Sequence, residues 1–93
     1  MTLSFDMKVM IPKDILVKEV RGESVLLNLN KECYFGLDKV GTRMWSTLSE
    51  SESISKAYDA LLKRYDVGAD VLRQDLHDLI EKLIGYGLLE VNE

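Results

Sequence analysis

The sequence predicts an α+β domain: a three-stranded antiparallel sheet followed by three helices. Three observations lead there. Short runs rich in β-branched, leucine and aromatic residues come first, with turn residues between them. Later stretches repeat apolar residues at helical spacing. The two kinds of segment follow one another rather than alternate, which is the order of a sheet with helices gathered on one face.

Residues 1–11 read as a weakly patterned N-terminal segment, with Val9, Met10 and Ile11 along the edge of the core. The domain proper is expected over 12–93. Pro12, the only proline, holds Ile11 extended. Asp14 to Val20 is the first strand, Arg21-Gly22 a tight turn, and Ser24 to Leu29 the second strand. Asn30-Lys31 turns the chain again, since Asn tolerates positive φ. Glu32 to Leu37 is the third strand. At a period of two, Val25, Leu27 and Leu29 share one face and Cys33, Phe35 and Leu37 another. Those faces are expected to point inward, with Glu32 and Tyr34 outward.

The third strand runs straight into a helix. Asp38 is placed as its N-cap, and Val40, Met44, Trp45 and Leu48 make one stripe. Gly41 inside this helix costs about 1 kcal/mol relative to Ala; close approach of another backbone would explain it. Ser53 caps the next helix, in which Ile54, Ala57, Tyr58, Leu61, Leu62 and Tyr65 fill the amphipathic template. The third helix runs from about Ala69 to Gly85, with Leu72, Leu76, Leu79, Ile80 and Leu83 on one face. Gly85 and Gly87 end it. Leu88 to Val91 leaves as an apolar tail that packs back.

Composition narrows the function. The 93 residues are enough for one modest core. A net charge of −4 without a Lys/Arg cluster argues against nucleic acid. No apolar run is long enough to cross a membrane, and the N-terminus lacks the basic start and apolar block of a signal peptide. A single Cys suits the reducing cytoplasm.

Chemistry finds little support. Cys33 and His77 are too few for a structural metal site. The same pair could form a nucleophile and base, but a Cys in an aromatic strand more often serves as a small core residue. Gly36 and Gly41 do not make a phosphate loop, because Thr42-Arg43 follows where Lys-Ser/Thr is required. Three helices after a sheet also permit a winged helix-turn-helix. The third helix, however, sets Arg73, Gln74 and Lys82 among acids, which does not suit a DNA reader. Three strands cannot close a barrel, so one edge stays open to a peptide or is covered.

Several blocks in order now carry a resemblance. Ile15-Leu16-Val17-Lys18-Glu19-Val20, Gly22 to Leu29, Tyr34-Phe35-Gly36-Leu37-Asp38, and Val40-Gly41-Thr42-Arg43-Met44-Trp45 resemble the PqqD-like family, also called RiPP recognition elements. Tyr65-Asp66-Val67 and Gly87-Leu88-Leu89 extend the match from about Pro12 to Val91. Tyr34-Phe35-Gly36-Leu37-Asp38 and Gly41-Thr42-Arg43 are most similar to the small standalone leader-binding proteins of lasso peptide biosynthesis. Many relatives have Asp-Pro-Glu where this chain has Gly68-Ala69-Asp70, which implies a weaker cap on the third helix.

The resemblance implies a winged helix-turn-helix-like domain that binds peptide rather than DNA and has neither enzymatic activity nor cofactor. The leader of a ribosomally made precursor adds as a strand beside the third strand and packs on the third helix. It is then presented to a processing enzyme, in a lasso system a cysteine protease. Glu32, Cys33, Tyr34 and Phe35 would supply the strand. Val71, Leu72 and Leu79 would wall an apolar slot with Tyr34, and Asp75, Asp78 and Lys82 would meet charges on the leader. The opposite flank is Arg73, His77, Ile80 and Ile84. One alternative keeps the fold and changes the pathway: a chaperone delivering a precursor to a radical-SAM enzyme. Another is a winged-helix regulator. A second copy of the chain can also pair through an open edge, giving a homodimer.

Overall fold

A computed structural model describes residues 3–92, so Met1, Thr2 and Glu93 of the terminal segments lie outside the described residues. The elements are β1 (Lys8–Met10), β2 (Ile15–Val20), β3 (Glu23–Asn28), β4 (Cys33–Leu37), α1 (Lys39–Glu50), α2 (Ile54–Arg64), α3 (Ala69–Gly85) and β5 (Glu90–Asn92). The antiparallel sheet has the order β2-β3-β4, and the three helices follow it as expected.

The β2–β3 hairpin turns in two residues. Arg21 at φ 55° and Gly22 at φ 84° both take the positive angles of a primed turn, whose twist matches that of the strands. The next turn differs from expectation. Its organising residue is Asn28, whose Oδ1 accepts from the amides of Asn30 (3.1 Å) and Lys31 (3.0 Å). The positive φ falls on Glu32, at 55°, which therefore ends the turn instead of starting the strand.

The inward face of β3 is also shifted by one residue. Ser24, Leu26 and Asn28 point inward, and Val25 and Leu29 are exposed. Pairing of Leu26 with Phe35 and of Leu27 with Tyr34 sets Leu27 on the outer face. The polar ends of the inner row find partners there. Ser24 and Thr42 share a buried 2.8 Å hydrogen bond between their hydroxyls, and Asn28 Nδ2 donates to the carbonyl of Gly87 at 2.8 Å. A polar residue so partnered is tolerated inside. On β4, Cys33, Phe35 and Leu37 face inward as expected.

The N-terminal segment is built into the fold. Phe5, Met7 and Val9 alternate inward and are buried, whereas Met10 and Ile11 are exposed. Strand β1 pairs with β5 as a separate two-stranded sheet, with Val9 opposite Val91. The carbonyls of Met7 and Phe5 accept from the amides of Ile54 (2.9 Å) and Ser55 (2.7 Å), satisfying donors that the first turn of α2 leaves free.

The helix caps follow the sequence. Asp38 accepts from the Gly41 amide at 2.7 Å, and Ser53 from that of Lys56 at 3.1 Å. The nearest neighbours of Gly41 are side-chain atoms rather than the backbone of another element. A Cβ there would meet Leu37 Cδ2 at 3.2 Å and Asp38 Oδ1 at 3.3 Å, so the cap itself fills the space. Met44, Trp45 and Leu48 are buried; Val40 is exposed, and Thr42 takes the inward place beside Ser24. The α3 N-cap, Gly68, makes no side-chain cap bond. Helix α3 ends in a Schellman motif: the amide of Leu88 reaches the Leu83 carbonyl (2.9 Å), that of Gly87 reaches Ile84 (3.0 Å), and Gly87 sits at φ 73°. Leu88 and Leu89 then return to the core.

Candidate functional site

Among the described residues no strand pairs with the outer edge of β4. Half of its backbone donors and acceptors therefore face away from β3. The strand carries no charged residue that would discourage another strand from adding. The far edge, β2, is open as well, but Lys18 and Glu19 lie within it.

Helix α3 presents two flanks. The flank of Arg73 and His77 faces the N-terminal segment. The Arg73 guanidinium lies 4.1 Å from the centre of the Phe5 ring, and a hollow there is lined by Leu3, Phe5, Asp70, Arg73, Gln74 and His77. On the other flank Asp75, Leu79, Lys82 and Tyr86 follow at i, i+4, i+7 and i+11 and so form one stripe. Its last member touches β4. The Phe35 and Tyr86 rings meet edge to face at 5.2 Å, and Cys33 Sγ lies 3.3 Å from the Tyr86 carbonyl, to which it can donate. Strand β4 and this flank thus meet at the C-terminal end of α3.

Of the residues singled out from sequence, Tyr34 projects outward and is 71% exposed, Val71 is 57% exposed, and Asp75, Asp78 and Lys82 are exposed. Phe35, Cys33 and Leu79 are half-buried. Glu32 lies in the turn before the strand. Leu72, at 3% exposure, belongs to the core and offers little surface. Asp78 Oδ1 accepts from Gln74 Nε2 at 2.8 Å, one helical turn back. Tyr86 carried no sequence signal beyond the i+11 spacing from Asp75, because its role depends on a contact with Phe35.

The fold does not bring Cys33 and His77 together. Cys33 is engaged with Tyr86, whereas His77 stands on the opposite flank, with Nδ1 at 3.6 Å from Asp78 Oδ1 and 3.5 Å from Glu81 Oε1. No helix among the described residues is long and apolar enough to cross a membrane.

Residues 23–89 match the family described as coenzyme PQQ synthesis protein D. The chain belongs to the PqqD family. A solved structure of another protein, TbiB1 in complex with the TbiA(beta) leader peptide, is similar to this PqqD-family chain over its fold: 36% sequence identity, 86% of this chain and 93% of that one covered, and a TM-score of 0.79. No curated protein matches the sequence.

Proposed function

We propose that this chain is a non-enzymatic RiPP recognition element of the cytoplasm. It captures the leader of a ribosomally made precursor peptide and presents it to a processing enzyme, the leader-removing cysteine protease of a lasso pathway. The observation that carries the reading is the unpaired edge of β4 beside the free flank of α3, in a chain similar to a protein held with its leader peptide.

An extended leader adds to β4, exchanging main-chain hydrogen bonds with alternate residues. Each contributes about 0.5–1.5 kcal/mol net and demands little of the leader's sequence. Selectivity comes from side chains. Leader residues on the inner side meet Phe35, Leu79, Tyr86 and Val71. Asp75 and Asp78 attract basic residues, and Lys82 an acidic one. The same acids, with Asp70 and Glu81 on the flank of His77, oppose nucleic acid along α3. A second copy pairing through β4 would compete with the leader for the same backbone groups.

A second pathway uses the same fold: delivery of a precursor to a radical-SAM enzyme, in a family described as coenzyme PQQ synthesis protein D. One titration decides between them: labelled leader peptides from both kinds of precursor, followed by fluorescence anisotropy, with the cognate leader alone binding saturably. Tyr34→Ala and Asp78→Asn should each weaken binding about fivefold to tenfold, roughly 1 kcal/mol, without lowering the unfolding midpoint. If both variants bind like wild type, the leader reaches neither the outer face of β4 at Tyr34 nor the Asp78 carboxylate.

A further inference from the structure

Gly36 is the fourth of the five residues of the edge strand, inside which glycine weakens a sheet. Folding does not require it. Its φ is not positive, and a Cβ built on it would meet nothing within 4 Å. Its place in the sheet is more telling. Gly36 pairs with Val25, so the missing side chain leaves a gap on the outer face, away from the helices. Beside the gap lies an open depression of about 560 Å³, with Val20 and Val25 among its lining residues and the charged Lys18, Arg21, Glu23 and Asp38 bordering it. Tyr34 lies two residues back on the same face and is exposed.

We propose that this hollow is a side-chain subsite for the bound leader, and that Gly36 is its entrance. The inference rests on the leader adding to β4. A residue of the added strand directly opposite Gly36 projects onto the same outer face. Strands lie about 4.8 Å apart, so a side chain must cross the width of β4 to reach Val25. Only a long one does so, and the apolar floor selects an aromatic or long aliphatic residue. Glycine on an edge strand is the position at which such a side chain can fold over its neighbour. The specificity of this surface is therefore divided: one leader side chain goes inward toward Phe35 and Leu79, and another goes outward over Gly36.

The test uses the full chain and the fluorescein-labelled leader of the precursor encoded beside it, with an alanine scan of that leader. Gly36→Val closes the entrance with a good strand former. Its unfolding midpoint should equal or exceed that of wild type, while affinity falls about tenfold. Val25→Phe fills the same hollow from β3 and should have the same effect on affinity. One large apolar leader residue should lose affinity on truncation to Ala with wild type, and lose nothing further with either variant. The inference is overturned if Gly36→Val binds within about twofold of wild type, or if every leader truncation stays additive with both variants. Absence of binding by wild-type protein would instead remove the leader reading itself, and the subsite with it.

Discussion

Asn28→Ala should lower the unfolding midpoint by about 10–15 °C, for a loss of roughly 2–3 kcal/mol in a domain of this size. One buried side chain, 5% exposed, makes three hydrogen bonds: two from the turn that launches β4 and one to the carbonyl of Gly87 after α3. Alanine leaves all three backbone groups without that partner. Asn28→Asp separates the two halves of the effect, since it keeps both acceptor bonds to the turn and loses the donor to Gly87. Its loss should be smaller for the turn and concentrated at the α3 junction. Differential scanning calorimetry gives the midpoints. Amide exchange at Leu88, whose amide closes the end of α3, reads the junction directly. Because β4 and α3 are held in register partly by this side chain, leader affinity should fall with the junction and not with the turn. Equal midpoints for wild type and Asn28→Ala would show that the junction is held by the Schellman motif and the Phe35–Tyr86 contact alone.

Gly87→Ala should cost about 1–2 kcal/mol, a fall of roughly 5–10 °C, because the residue occupies the left-handed region at the end of α3. Space adds to the angle: a Cβ would lie 2.8 Å from Lys31 Nζ and 3.0 Å from Asn28 Nδ2. Lys31 is a long side chain that can move aside, but Asn28 is held by its own bonds. Gly85→Ala, two residues earlier, is the control. Gly85 is helical, and a Cβ there meets nothing within 4 Å. That substitution should stabilise the chain by about 0.5–1 kcal/mol. If both variants shift the midpoint in the same direction, the end of α3 is not built as described.

The two glycines illustrate how much was legible beforehand. That α3 ends near Gly85–Gly87 follows from composition and periodicity; which glycine takes the left-handed turn follows from the return of Leu88 to the core. The same division runs through the sheet. In β3 apolar residues occur on both alternations, Val25-Leu27-Leu29 and Leu26 between Ser24 and Asn28, so counting hydrophobic residues favours the wrong row. Ser24 and Asn28 enter the interior because Thr42 and Gly87, far along the chain, satisfy them. Strand β1 was obscured for a related reason. Leu3, Phe5, Met7 and Val9 do alternate, but a three-residue strand gains its meaning from β5 at the opposite end of the chain.

For the candidate site, local chemistry indicated the strand and the helix proposed to meet a peptide, and Asp38 and Ser53 placed the helix starts, because capping and amphipathic spacing act over a few residues. The choice of flank on α3 could not be read that way. Charged and apolar residues border both sides of its buried stripe. Phe5 beneath Arg73 covers one side, and Tyr86 at the end of the other meets Phe35. The sequence by itself determined the order of the elements, the Asp38 and Ser53 caps and the net negative charge. Only the tertiary structure decided which faces are inward, which edge is free and where Gly36 leaves its gap, since each of these depends on contacts between residues distant in the chain.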